Sequence, residues 1–327
     1  MLMKAAKNSA FCYVTDISYL APTLISISSL RKKLSTFLPV TLVLTLKENE
    51  SVSDLEEVFN QLSIHVIRID AKDVEGISKV WAPGHVSRAA LGRLLLHDIL
   101  PTDIERIVYL DGDTVVLNDL LELALAPMSS GTVGMVEDAI SFFRNDKSDN
   151  GRSTREHLSR IGLKPDDPYG NSGVMVANRE DWKSLSLDAL EYLQHSSECC
   201  PPYHDQSAIN AVIGRRRACL STRWNCQSRF AQWDDTALSK ASLLHFTGAK
   251  KPWMGSVYPW QPIFAEINEL RDGLNIPSLP LKTMSADELI SYNSQFIRPA
   301  SILRKYFDLR LRRRPQLISK YDNTCII

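Results

Sequence analysis

The chain has 327 residues, 38 Lys+Arg against 38 Asp+Glu, and a formal net charge of zero. At about 100–200 residues per domain this is one large domain or two small ones, long enough to bury a substantial core. Hydrophobic residues at 44% and charged residues at 23% exclude a disordered or collagen-like chain, and neutrality argues against a wholesale nucleic-acid binder while leaving the distribution of charge open.

In chain order, Ala10–Thr15 reads as a strand and Tyr19–Lys33 as a helix. Val40–Leu46 and Ile64–Ile69 are short β-rich runs, separated by a helical stretch over Val52–Leu62. A helix over Val86–Leu100 stops at Pro101, and Arg106–Leu110 (RIVYL) is another buried-type strand. Strands alternating with helices predict an α/β fold with a mostly parallel sheet covered on both faces. Ligands of such sheets bind beyond the carboxyl ends of strands.

Further on, Thr132–Val136 and Val174–Ala177 read as strands, and Asp181–Gln194, Asp205–Ile213 and Pro262–Leu270 as helices. The polar stretch Arg144–Arg155 reads as a mobile loop. No repeat or Gly/Ser linker divides the chain, which suggests one α/β domain over 1–280 and a helical basic appendage over 281–327.

The six cysteines form no C-x-x-C pair and no zinc-finger spacing. A chain of this size needs no disulfide staples, so reduced thiols in a cytoplasmic setting are expected. No apolar run approaches the ~18 residues of a membrane span. G-x-G-x-x-G and G-x-x-x-x-G-K-[ST] are both absent, which removes a dinucleotide fingerprint and a P-loop.

The most informative segment is Asp111-Gly112-Asp113, directly after the RIVYL strand. Carboxylates at i and i+2 on a strand share a face, and the glycine between them lets the chain bend. Two hard oxygen donors at a strand end suit Mg2+ or Mn2+ with positions left for phosphate oxygens. A hairpin turn is the alternative, since Asp-Gly before a β run is also a hairpin signal. Two enzyme chemistries use such a pair: sugar transfer from a nucleotide-sugar, and an aspartyl-phosphate phosphatase of the D-x-D-x-V type.

Four further segments decide between them. Asn171-Ser172-Gly173-Val174 opens a strand, and His204-Asp205-Gln206-Ser207 opens a helix. His245-Phe246-Thr247-Gly248-Ala249-Lys250-Lys251-Pro252-Trp253 follows a short apolar run, and Arg93 lies on the helix before RIVYL. In this order the set resembles glycosyltransferase family 8, the retaining enzymes of GT-A fold that include bacterial lipopolysaccharide galactosyl- and glucosyltransferases and glycogenin. The resemblance covers about Ala10 to Trp253. The phosphatase reading lacks a G-D-x-x-x-D second acidic motif, and its opening motif would normally sit near the start of the domain.

The resemblance implies a UDP-sugar donor and Mn2+ (or Mg2+) held by Asp111, Asp113 and His245. It implies that Gly248 lets backbone approach the diphosphate and that Lys251, rather than its neighbour Lys250, neutralises the leaving UDP. It places Asp16 and Tyr19 at the uracil, with a core aromatic as the other reading of Tyr19. It lines the donor sugar with Arg93, Asp138, Asn171, Ser172, Asp205 and Gln206. Solvated charges are the alternative for Arg93 and Asp138, and a helix N-cap for Asp205. Gln206 matches the residue nearest the anomeric carbon; an amide is a poor nucleophile, which favours a dissociative same-face transfer. Some relatives place an acid after this glutamine, whereas Ser207 stands here, so double displacement by that acid is excluded. A member that binds sugar nucleotide or glycan without turnover is a further alternative, against which intact Asp111, Asp113, His245 and Lys251 speak.

From Arg298 the composition turns basic. Residues 298–320 carry +7 and residues 1–297 carry −6. Ile302, Leu303, Tyr306, Phe307, Leu309 and Leu311 interleave with the bases at near-helical spacing, as in an interfacial amphipathic helix. The expectation is a peripheral protein on the cytoplasmic face of an anionic membrane, with a lipid-linked or lipopolysaccharide-type saccharide as acceptor.

Overall fold

The computed structural model describes residues 8–75, 88–195, 204–234, 236–276, 279, 281–296 and 313–327. Its larger sheet contains β1 (Ser9–Asp16), β2 (Val40–Leu46), β3 (His65–Asp70), β4 (Arg106–Leu110), β6 (Val133–Glu137), β7 (Gly170–Asn178) and β8 (Arg217–Cys219), in the order β3-β2-β1-β4-β7-β6-β8. A smaller sheet orders β5 (Thr114–Val116), β10 (Leu243–His245) and β9 (Cys226–Gln227) as β5-β10-β9. In the larger sheet β1, β2, β3 and β4 run parallel, as do β6 and β8, while β7 is antiparallel to both its neighbours. The expected mixed, mostly parallel α/β architecture is present.

Alternation along the central strands explains why they read as continuous apolar runs. Phe11 and Tyr13 of β1 join one core, with the helices Leu20–Lys33 and Phe264–Asp272. Ala10, Cys12 and Val14 join the opposite core, with the helices Arg179–His195 and His204–Ile213. Successive strand residues point to opposite faces, and here both faces are covered.

Two connections create the functional edge. Antiparallel β7 pairs Val174 with Leu110, so the Asp111 amide donates to the Gly173 carbonyl at 2.8 Å and residues 171–173 lie beside the D-x-D segment. The chain then leaves the large sheet: β5 pairs with β10 in the small one, Thr114 opposite His245, and the Phe246 amide donates to the Asp113 carbonyl at 2.9 Å. Asp111-Gly112-Asp113 is therefore a crossing between sheets. The hairpin alternative fails because β4 pairs with β1 and β7, and β5 with β10.

Several local expectations are corrected. Part of the stretch expected to be a mobile loop, Arg144–Arg155, belongs to the helix Asp149–Arg160, started by Ser148 Oγ accepting from the Gly151 amide at 3.3 Å. The expected helix before RIVYL is a 3-10 helix over Arg88–Leu95 followed by the short α-helix Leu96–Ile99; residues 76–87 lie outside the described residues. The thiols are not all reduced. The chain end returns to β8, with the Ile326 amide donating to the Cys219 carbonyl at 3.0 Å, and Cys219 and Cys325 are joined as a disulfide with Cα atoms 4.7 Å apart. Cys12 and Cys226 are free and buried.

The basic stretch divides. Residues 297–312, which carry the apolar interleaving, lie outside the described residues. Arg313–Asp322 is a helix docked on the body rather than a free interfacial surface. Arg314 pairs with Asp146 and lies over Phe143 and Trp233, and the Tyr321 hydroxyl accepts from the Glu137 amide at 2.7 Å and donates to the Leu220 carbonyl at 2.9 Å. Among the described residues no helix is long and apolar enough to cross a membrane.

Candidate active site

Asp111, Asp113 and His245 converge where the two sheets meet, with one ligand atom of each within 4.8 Å of the others. His245 Nε2 is 3.3 Å from Asp113 Oδ1 and 3.6 Å from Asp111 Oδ2. Gly173 gives them room: a Cβ there would lie 2.2 Å from His245 Cε1 and 2.7 Å from Asp111 Oδ2. Two carboxylates and one imidazole around such a cradle fit Mn2+ or Mg2+ and would leave coordination positions for substrate oxygens.

Cations flank the cluster. Lys251 Nζ lies 2.5 Å from Asp113 Oδ2 and also donates to the Phe246 carbonyl. Burial alone would raise the Asp113 pKa, but Lys251 and His245 overcome it and hold the carboxyl well below its ordinary range. Buried Arg93 reaches Asp111 Oδ1 at 3.2 Å and Asp205 Oδ2 at 2.9 Å, and donates to the Ser172 carbonyl at 2.7 Å. Its guanidinium lies 4.5 Å above the Tyr109 ring, whose hydroxyl donates to Asp111 Oδ1 at 2.6 Å. Burial opposes its charge, but Asp111 and Asp205 outweigh that and keep it protonated. The solvated-charge reading of Arg93 is thereby overturned.

The neighbouring amides form one polar chain. A register shift between Met135 and Val136 sets the end of β6 so that the Asp138 amide donates to the Tyr169 carbonyl at 2.8 Å. Asp138 is buried, which removes its solvated-charge alternative; its Oδ2 accepts from Asn171 Nδ2 at 2.9 Å and Gln206 Nε2 at 3.0 Å. Gln206 Oε1 in turn accepts from the Ser172 amide at 3.0 Å. The helix His204–Ile213 thus delivers Asp205 to Arg93 and Gln206 to Asp138.

At the end of β1, Asp16 Oδ1 accepts from the Tyr19 amide at 3.2 Å and from Ser18 Oγ at 2.5 Å, which closes a 3-10 turn. Tyr19 meets Trp253 edge-on at 6.0 Å, and Trp253 meets Phe246 at 6.0 Å, so this turn is tied to the segment carrying Gly248 and Lys251. Burial, then the charges of Asp113 and Asp111, push the Tyr19 hydroxyl pKa well up. Gly248 has φ +95°, a conformation that suits glycine.

Asp16, Tyr19, Arg93, Asp111, Asp113, Asp138, Asn171, Ser172, Asp205, Gln206, His245 and Lys251 therefore gather on this edge. Two others were given no role by sequence reasoning. Gly173 stood inside a quoted segment, but its need for smallness comes from His245, 72 positions away. Asn225 accepts from His245 Nδ1 at 2.9 Å and donates through Nδ2 to Asn171 Oδ1 at 2.8 Å. The only local signal was the polar–apolar alternation Trp224-Asn225-Cys226-Gln227, too short to read as a strand.

A GT-A-type sheet carrying an Asp–Asp–His cluster at its strand ends defines the glycosyltransferase class that binds a nucleotide-sugar with a divalent cation. The chain belongs to glycosyltransferase family 8, whose model matches residues 11–256. It is 27% identical over 186 residues to general stress protein A of Bacillus subtilis, covering 52% of this chain and 60% of that protein. It is 26% identical to the lipopolysaccharide 1,2-glucosyltransferase of Escherichia coli over 61% of this chain and 59% of that protein. The chain thus spans about three fifths of the length of these two curated relatives. Among solved structures, the galactosyltransferase LgtC in complex with donor and acceptor sugar analogs superposes with a TM-score of 0.61 at 17% identity, covering 85% of this chain and 98% of that one.

Proposed function

We propose that this chain is a retaining hexosyltransferase that moves galactose or glucose from a UDP-sugar to a saccharide acceptor, lipid-linked or of the lipopolysaccharide or capsular kind. The observation that supports it most is the meeting of Asp111, Asp113 and His245 with Lys251 already against Asp113. Mn2+ or Mg2+ bound by these three residues would supply positive charge to two diphosphate oxygens. Asp16 and Tyr19 hold the uracil, and Gly248 leaves backbone free to approach the diphosphate. Lys251 swings from Asp113 to neutralise the charge that builds on the departing UDP. Arg93, Asp138, Asn171, Ser172 and Asp205 orient the hexose hydroxyls. Gln206, held by Asp138 and the Ser172 amide, sits by the anomeric carbon as a fixed dipole and not as a nucleophile. The acceptor hydroxyl enters on the face that UDP leaves, and a diphosphate oxygen takes its proton.

Asp113→Asn tests the reading. The variant should fold normally, as judged by circular dichroism, and should lose Mn2+-dependent release of UDP from UDP-galactose or UDP-glucose by at least about a hundredfold. Near-normal UDP release would overturn the metal site. Hydrolysis of a generic phosphoester by the parent would favour the phosphatase reading instead.

A further inference from the structure

The direction of the hydrogen bonds on the Nδ1 side of His245 can be read from one donor whose polarity is not in question. The Gly173 backbone amide donates to Asn171 Oδ1 at 3.0 Å, so that atom is the carbonyl oxygen of the side chain. Asn171 Nδ2 is then the group that faces Asp138 Oδ2, and a carboxylate there only accepts. Because Asn171 Oδ1 accepts, the Asn225 atom 2.8 Å from it is Nδ2, the donor. Asn225 therefore turns Oδ1, an acceptor, toward His245 Nδ1 at 2.9 Å. An acceptor at that distance requires the proton on Nδ1, so Nε2 is the nitrogen turned toward Asp113 and Asp111.

We infer that Asn225 is a positioning residue: through the relay Gly173 amide–Asn171–Asn225 it fixes the tautomer and ring orientation of His245 for metal ligation. Asn225 is fully buried and Asn171 nearly so, and burial leaves no water to substitute for a lost partner. A neutral carboxamide does here what a carboxylate commonly does behind a ligating imidazole. It fixes the ring without adding a third negative charge beside Asp111 and Asp113. The inference rests on the metal-site reading above only for its consequence, metal affinity; the tautomer can be tested without it.

The first measurement uses the unaltered protein labelled with 15N-histidine, observed with and without diamagnetic Mg2+. The His245 signals, identified by their disappearance in His245→Asn, should show Nδ1 as the proton-bearing nitrogen under both conditions. An unprotonated Nδ1 would overturn the inference without any question of variant folding. The second measures Mn2+ affinity by the loss of the free-ion electron paramagnetic resonance signal. Asn225→Leu, which has no acceptor, should bind about 10–100-fold more weakly. Asn225→Asp, which keeps an oxygen toward Nδ1 but loses the donor to Asn171, should keep the Nδ1 proton. Parental affinity in Asn225→Leu, or an Nδ1 without its proton in Asn225→Asp, would overturn it. Parental Mn2+ affinity in Asp113→Asn would count against the metal site alone and leave the tautomer result standing.

Discussion

A methyl group at Gly112 would meet Thr23 Oγ1 at 2.2 Å and Thr23 Cβ at 3.1 Å, on the helix Leu20–Lys33. The glycine between the two carboxylates is thus set by a close approach as well as by a bend. Thr23 cannot easily yield, because its hydroxyl donates to the Tyr19 carbonyl at 2.8 Å. Gly112→Ala should destabilise the protein by about 1–3 kcal/mol, as other overpacking changes do, measured by urea denaturation. Adding Thr23→Ala should recover part of the loss, and simple additivity of the two changes would argue against the contact. At this scale the sequence carried Asp111 and Asp113 openly, since two charges at the end of an apolar strand have few structural uses. It was silent on Asn225 and Gly173 because their partners are distant in the chain and meet only once β7, β9 and β10 are in place.

Six of the seven strands of the large sheet were legible as β-branched and aromatic runs, whereas β8, three residues long and only partly buried, was not. The small sheet was not, since β9 spans two residues and β5 and β10 three each, below any usable period. The helix Asp149–Arg160 escaped for a different reason. Only Gly151, Thr154, His157 and Leu158 of it are buried, so it has no apolar stripe; capping and Arg155 hold it, the latter donating to the Arg144 and Asp146 carbonyls. His157 is the titratable residue this helix buries, its Nε2 3.2 Å from the Tyr169 hydroxyl. Burial, and then the nearby Arg160 charge, lower its pKa from 6.5 to about 4. Between those values the unfolded chain binds a proton that the folded one refuses, so stability rises with pH across this window. The contribution is complete above pH 6.5 and is lost progressively as the pH falls toward 4. His157→Gln should flatten the pH dependence of the unfolding free energy within this window, measured by denaturant titration at several pH values. An unchanged slope would show that the loss of stability in acid arises elsewhere.

Zero net charge is the sum of an acidic body and a basic stretch: −6 over residues 1–297 and +7 over 298–320. The fold separates the two roles further. Arg314 is spent on the body, paired with Asp146 and stacked on Phe143 and Trp233, while the helix that carries it is tied down through Tyr321 and the Cys219–Cys325 disulfide. Of the eight bases in 298–320, Arg298, Arg304, Lys305, Arg310 and Arg312 precede that helix in the sequence. Each base near an anionic surface contributes about 1 kcal/mol, a pull that salt weakens. If the basic stretch docks on an anionic membrane, as its sequence suggests, replacing these five by glutamine should weaken binding to phosphatidylserine-containing vesicles by about tenfold or more, measured by co-sedimentation at low salt. UDP release in solution should be unchanged, because none of the five is among the residues assigned to the donor or the metal. Arg314→Gln should do the reverse, lowering thermal stability while vesicle binding stays near the parent's. If the five-fold variant still sediments with the vesicles like the parent, the basic stretch serves some surface other than an anionic bilayer.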